Sequence, residues 1–233
     1  WSSDLCSSDL KDIIDAVFDY YRLKPASILF VGFNPAVLGF SHLNVTVTKI
    51  SDGCVQPLQD QIPNIKHVPW DHLVTDGDRF DAVISVDEFL TFVDSEEAQH
   101  RLLDQICNMT RQVAITTLRD YKNQGFKDRE FSIPSVIRGT DATRIYLEYN
   151  DYEMHDRNAW VRDVYQIEGD GCVPHRGFQC RQMFFKQCAK FSLDAGAKEF
   201  LVHKNLMYKS LIKKNYEHVI SIKFGQNGHN NTN

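Results

Sequence analysis

The chain has no apolar run approaching the ~18 residues that a membrane-spanning helix needs, so no membrane-spanning helix is expected. Glycine and proline are sparse, 12 and 7 of 233 residues, which excludes a collagen-like fibre and a Pro/Gly-rich disordered chain. Charge of one sign is not in large excess. The net charge of -5 is far from the strongly basic balance of a protein that coats nucleic acid. The six cysteines, Cys6, Cys54, Cys107, Cys172, Cys180 and Cys188, are too scattered for a disulfide-scaffold miniprotein. None forms C-x-x-C, and the last three stand eight apart with no His pair at zinc-ligand spacing. They read as reduced, structural thiols of a cytoplasmic protein, in keeping with the lack of an apolar secretory segment after a basic start. What is present is ordinary for a globular chain, 42% hydrophobic and 24% charged residues. This length supports one domain with its own core and room for an insertion.

Residues 1–10, WSSDLCSSDL, look foreign, with a tandem Ser-Ser-Asp-Leu. One frame of a common sequencing adapter, TGC-TCT-TCC-GAT-CT, translates as Cys-Ser-Ser-Asp-Leu. This stretch is therefore expected to be a non-native artefact joined to a truncated gene from metagenomic DNA, and is set aside from fold reasoning. A genuine polar arm is the alternative.

From Asp12 to Tyr21 the apolar spacing of Ile13, Ile14, Val17, Phe18 and Tyr21 predicts a helix, ended by Pro25. Ile28-Leu29-Phe30-Val31 reads as a fully buried first strand. Gly32-Phe33-Asn34-Pro35 is a turn, and 36–42 has room for a short helix. Further strands are expected at Val45–Thr48, Ile65–Val68, Ala82–Val86 and Gln112–Thr116. Ser95 followed by Glu96 and Glu97 opens a helix whose apolar positions include Leu102, Leu103, Ile106 and Met109. Strands alternating with helices imply a parallel sheet covered on both faces. After about residue 120 the pattern changes. Thr143–Tyr149 and Trp160–Ile167 have no helix between them and suggest an antiparallel pair. A helix is expected over 181–194 with Phe184, Cys188 and Phe191 on one face, and Gly196 at its C-terminal cap. The last strands are expected at Glu199–His203 and His218–Phe224, and residues 225–233 form a polar tail expected to be disordered.

A parallel α/β run followed by helix, Ala-Gly, strand, loop and final strand resembles the class I S-adenosylmethionine-dependent methyltransferases. The resemblance covers residues 11–224, with about 122–180 as a lid or insertion like that of small-molecule methyltransferases. Asp194-Ala195-Gly196-Ala197-Lys198-Glu199-Phe200 looks like the approach to the family's antiparallel edge, and Phe80-Asp81-Ala82-Val83-Ile84-Ser85 looks like its fourth strand. The fold this implies is α/β, a Rossmann-like methyltransferase sheet, mostly parallel with an antiparallel C-terminal edge and a β-rich insertion. The family's first motif, an acid then Gly-x-Gly-x-Gly, matches Phe30 to Ala36, where Gly32 is the glycine that remains and Phe30 replaces the acid. Asn34 is the residue there that tolerates positive φ best after glycine. The ribose-binding acid's position holds Lys49, with Asp52 nearby; the acid near the adenine amine matches Asp71. Trp70 and Phe33 are candidates to stack on adenine, and Ser85 closes the fourth strand. Core packing is the plainer reading of Trp70, and a loop cap that of Asp71.

Methyl transfer is an in-line displacement, so the protein mainly positions the acceptor, and a base is needed only where the acceptor must lose a proton. Candidates at the carboxyl ends of the fourth and fifth strands are Asp87, Glu88 and Tyr121, beside Arg119 and Asp120. The insertion adds Tyr146, Tyr149, Tyr152, His155 and Trp160, an aromatic wall suited to a small polar acceptor, with His155 a candidate base. The plainer readings are acids at a helix start for Asp87-Glu88, a solvated loop for His155 and sheet packing for the aromatics. Ten acids crowd Asp71 to Asp104, whereas eight lysines crowd Lys186 to Lys223. The lysines read as a solvated edge or as a nucleic-acid contact. Three functions stay open: a small-molecule methyltransferase using S-adenosylmethionine, a cofactor-free interaction module of the same fold, and a nucleic-acid methyltransferase. The last lacks an Asn-Pro-Pro-Tyr-type motif after the fourth strand. A nicotinamide enzyme is disfavoured by the absence of G-x-G-x-x-G.

Overall fold

In the computed structural model, a seven-stranded mixed sheet carries helices against both faces, and a five-stranded antiparallel sheet is inserted into it. The structure describes residues 7–32, 35–40, 42–48, 66–86, 89–91, 93–119, 129–131, 135–138, 143–151, 159–203 and 217–225. The chain begins with helix α1 (Ser7–Tyr21) and strand β1 (Ser27–Val31). A 3-10 segment (Pro35–Phe40) leads to β2 (Asn44–Thr48), β3 (Lys66–His67), α2 (Trp70–Asp76) and β4 (Phe80–Ser85). Then come α3 (Glu96–Met109) and β5 (Thr110–Arg119). The insertion holds β6 (Arg129–Phe131), β7 (Ser135–Arg138), β8 (Thr143–Asp151), β9 (Ala159–Glu168) and β10 (Gly171–Arg181). Helix α4 (Phe185–Asp194) returns the chain to β11 (Glu199–His203) and β12 (Glu217–Lys223).

The large sheet is ordered β11-β12-β5-β4-β1-β2-β3. Strands β1 to β5 pair in parallel, and β12 runs antiparallel to both β5 and β11. This is the mostly parallel sheet with an antiparallel edge that the sequence pattern implied. Strand residues alternate between faces, so each strand feeds two cores. Ile28, Phe30, Ala82, Ile84, Val113 and Ile115 pack with α1; Leu29, Val31, Val83, Ala114, Ile220 and Ile222 pack with α2, α3 and α4. Ser95 caps α3 as expected, its Oγ accepting from the Ala98 N–H at 3.2 Å, with Glu96 and Glu97 in the first turn.

Four boundaries differ from expectation. Helix α1 starts at Ser7, inside the stretch set aside as foreign, because Leu10 extends its apolar face and is buried in the core. Burying a leucine contributes about 1.5–3 kcal/mol. Residues 70–76 form a helix rather than a loop, held by Trp70 and Leu73 on one face and closed by Gly77 at φ 67°. Residues 171–181 form β10, and α4 starts at Phe185, four residues later than the expected 181. Strands β6 and β7 pair with β8 where no strands were expected. The pairing of β8 with β9 is antiparallel, as the sequence suggested. Gly196 follows the end of α4 at φ 92°, its N–H donating to the Leu193 carbonyl at 3.0 Å. Residues 226–233, the expected tail, lie outside the described residues.

The first helix and last strand are joined through a buried hydroxyl. Ser221 Oγ lies 2.9 Å from the Tyr21 hydroxyl and 2.7 Å from His203 Nε2. Burial pushes the Tyr21 phenol up to about 12 and lowers His203 below its ordinary value, with the Glu199 carboxylate opposing the second shift. Tyr20 stands edge-on to His203 at 5.7 Å, and Lys223 lies over the Tyr21 ring at 5.4 Å. The native state thus prefers neutral His203, and on acidification the unfolded chain takes up its proton first. The stability this group contributes is full above about 6.5, the ordinary value, and is lost as the pH falls from there through the depressed native value. Urea melts at pH 7.5 and 5.5 check this. The parent is expected to lose more stability between them than His203→Gln, and equal losses refute the assignment.

Candidate active site

Strand β1 has β2 on one side and β4 on the other, so the strand order reverses there. Open α/β sheets bind ligands in the crevice at the carboxyl ends beside such a reversal. Gly32 follows β1 directly. Its φ is 84°, a conformation that L side chains rarely adopt, and a Cβ built on it would meet no atom of the described residues within 4 Å. Its N–H donates to the Thr48 carbonyl at 2.9 Å, which ties the turn to the end of β2. Phe30 pairs with Ile84 across β1 and β4, so Ser85 and Gly32 close neighbouring strands at nearly one level.

Three hydroxyls line this edge. Thr48 ends β2, Ser85 ends β4, and Thr116 faces Ser85 in register on β5. All three are at most 2% exposed. Strand alternation puts Ser85 and Thr116 on the face shared with Val83 and Ala114, over α3 and α4. Among the described residues none of the three side-chain oxygens has a hydrogen-bond partner. An unsatisfied buried hydroxyl costs about 1–3 kcal/mol, so this edge is polar at a stability cost. Gly32 and Ser85 were legible from the sequence. Thr48 and Thr116 were missed, because a β-branched residue inside an apolar run reads simply as strand.

The other expected site residues divide clearly. Asp71 is exposed in the first turn of α2. Trp70 is buried, its Nε1–H donates to Gln105 Oε1 at 3.2 Å, and its ring lies 6.5 Å from Phe89. The Trp70 ring is thus occupied with core packing under α3, not set out as a stacking surface. Phe33, Asn34, Asp52, Asp87, Glu88, Tyr121 and His155 lie outside the described residues. Asp81 works at the opposite end of the sheet. Its Oδ2 accepts from the Ala26 and Ser27 N–H groups at 2.8 and 3.2 Å, and its own N–H donates to Ser27 Oγ at 3.0 Å. That reciprocal lock fixes the start of β1 against β4. Cys107 and Cys188 are buried thiols pushed up to about 12 by desolvation, which keeps them protonated and non-nucleophilic.

The expected aromatic wall of the insertion is split. Tyr149 faces a groove of ≈480 Å³ with Phe131, Leu147, Tyr165 and Ile167, its ring 4.8 Å from Phe131. Trp160 is buried on the other side of the same sheet, as the register with Asn150 and Arg162 requires. There Arg162 Nε donates to Asn150 Oδ1 at 2.8 Å, both side chains buried. The inserted sheet is fastened to the main domain by Gln99 of α3. This fully buried side chain donates to the Arg181 carbonyl at 2.8 Å and the Leu90 carbonyl at 3.2 Å.

No protein-family model matches the chain, and no curated protein matches its sequence. Solved structures match its shape. A sugar N-methyltransferase, KedS8 from a Streptoalloteichus species, is 11% identical with a TM-score of 0.70, covering 94% of this chain and 88% of its own. An S-adenosylmethionine-dependent methyltransferase from Clostridium acetobutylicum is 12% identical with a TM-score of 0.68, covering 96% and 94%. CalS10, an amino pentose methyltransferase from Micromonospora echinaspora solved with S-adenosylmethionine bound, is 12% identical with a TM-score of 0.63, covering 94% and 90%. With the strand order and the antiparallel edge, these likenesses show that the chain has the Rossmann-like fold of the class I S-adenosylmethionine-dependent methyltransferases.

Proposed function

We propose that this protein is an S-adenosylmethionine-dependent methyltransferase acting on a small-molecule acceptor. The observation that carries the reading is the polar carboxyl edge at the strand-order reversal: Gly32 at positive φ, with no described atom crowding it, and the buried hydroxyls of Thr48, Ser85 and Thr116, which have no partner among the described residues. These residues fit the cofactor. A glycine admits close approach of a ligand to the backbone, and buried hydroxyls need polar atoms to pair with. When bound, S-adenosylmethionine supplies a sulfonium-activated methyl group.

On this reading Gly32, Phe33 and Asn34 hold the cofactor. Ser85 with Thr48 and Thr116 supplies hydrogen bonds, and Asp52 and Asp71 are the acids available for the ribose and adenine. Trp70 supports Asp71 by anchoring α2 rather than stacking on the base. Asp87, Glu88, Tyr121 and His155 remain the candidates for orienting the acceptor or removing its proton. The small-molecule assignment draws on the similarity to structures described as a sugar N-methyltransferase and an amino pentose methyltransferase.

Calorimetric titration of the full chain with S-adenosylmethionine and its demethylated product tests this. Micromolar binding of either is the expected result. No binding at millimolar ligand to demonstrably folded protein replaces the enzyme with a cofactor-free interaction module. Phe30, which takes the acid's place in the first motif and packs into the α1 core, would then be decisive.

A further inference from the structure

Helices α3 and α4 both begin at the carboxyl edge of the sheet. Helix α3 links the parallel strands β4 and β5, and α4 leads into β11, which runs parallel to β5 because both oppose β12. Between their starts lies a groove of ≈470 Å³. Its walls hold three cations, Arg181, Lys186 and Lys190, against one acid, Glu96, over an aromatic floor that includes Phe191. Lys186 and Lys190 are exposed and four residues apart, so they share one face of α4. Neither has an ion-pair or hydrogen-bond partner among the described residues.

This arrangement has an electrostatic cost. Like charges at i and i+4 repel. Lys186 also sits in the first turn of α4, where the helix dipole is positive and no acid compensates it. An anion in the groove offsets both repulsions, because it attracts each lysine and the positive end of the helix. The size fits a small ligand, since small-molecule pockets run from about 300 to 1,000 Å³. A polyanionic strand is disfavoured by the chain's net charge of -5 and by the acids of α3 beside the groove.

We propose that this groove is a phosphate-binding subsite for a small phosphorylated ligand, with Lys186 and Lys190 as its charged contacts and Arg181 at its end. The proposal rests on the methyltransferase reading in one respect: the ligand is then the acceptor, held by its phosphate beside the carboxyl edge where Ser85 and Thr116 lie. The class of reaction that supplies such a substrate is a phosphoryl or nucleotidyl transfer.

The probe is inorganic pyrophosphate, titrated calorimetrically into the full chain at low ionic strength. Lys186→Gln/Lys190→Gln is compared with Lys24→Gln, which removes an exposed lysine elsewhere. The double variant is expected to bind pyrophosphate at least about tenfold more weakly, as loss of charge-assisted hydrogen bonds implies. Lys24→Gln is expected to bind as the parent does. Circular dichroism and melting of the variants check that the fold is intact. Equal weakening by Lys24→Gln, or no pyrophosphate binding by the parent, overturns the site. A single-stranded oligonucleotide that binds through the same lysines more tightly than pyrophosphate overturns the small-ligand assignment in favour of nucleic acid. S-adenosylmethionine titrated in the same buffer separates the two readings. Pyrophosphate bound without S-adenosylmethionine leaves the anion site standing and removes the methyltransferase. S-adenosylmethionine bound without pyrophosphate removes the anion site alone.

Discussion

Gly32→Val is expected to abolish S-adenosylmethionine binding while leaving the protein folded. The two effects separate because of what surrounds the residue. At φ 84° a β-branched side chain is strained, by about 1–2 kcal/mol for the left-handed backbone. For a domain of this length that lowers the melting temperature by roughly 2–8 °C. Among the described residues no atom lies within 4 Å of the added Cβ, so overpacking adds little there. The new side chain instead occupies the space at the carboxyl end of β1 where the cofactor is proposed to lie. A loss of affinity of about a hundredfold or more is expected, roughly 2.7 kcal/mol or greater. Gly77→Val is the matched control. Gly77 has φ 67° and equally open space, but it closes α2. It should melt early to a similar degree and bind the cofactor normally. If the two variants bind S-adenosylmethionine equally well, Gly32 does not border the cofactor site.

Gln99→Ala is expected to give a larger stability loss. The side chain is fully buried, and its one amide group serves carbonyls from two places, Leu90 after β4 and Arg181 at the end of β10. Removing it leaves both acceptors without that donor, at about 1–3 kcal/mol per unsatisfied buried group. A total of about 2–6 kcal/mol lowers the melting temperature by roughly 4–24 °C. Hydrogen exchange is expected to accelerate in β9 and β10 before the large sheet, since the lost contact fastens the insertion rather than the sheet core. Melting within about a degree of the parent, with unchanged exchange, would falsify this role. Gln99→Glu is a sharper version, because a carboxylate accepts only and faces two carbonyl oxygens.

The parallel half of the fold was legible because buried parallel strands are short continuous apolar runs, and Ile28–Val31 and Ala82–Ile84 are such runs. Helix α3 announced itself through Ser95, Glu96 and Glu97. Helix α2 did not, since Trp70 and Leu73 are its only buried residues and no side chain caps its start. Strand β10 was hidden by Pro174 and Gly177 and by a register shift between His175 and Phe178 that breaks the alternation. It tolerates proline because it lies at the edge of its sheet. At the site, Gly32 stood out by its residue type. Thr48 and Thr116 matter only through the strand ends that bring them to one edge, and sequence separation conceals that. Trp70 shows the reverse. An indole suits adenine stacking and core packing equally, and Gln105, thirty-five residues further on, decides for the core.

The sheet order has a consequence for synthesis of the chain. Strand β12 comes last in sequence but lies between β5 and β11, inside the sheet. As the polypeptide leaves the ribosome, β5 keeps a bare edge until residues 217–223 emerge. Its backbone N–H and C=O groups are then open to pairing with another nascent chain. The hydroxyl of Ser221 on the same strand is also what Tyr21 and His203 bond to. The last strand therefore both closes the open edge of β5 and adds one hydroxyl tie to a first helix that already rests on β1, β4 and β5, and a chain stalled just short of it presents an aggregation-prone sheet edge.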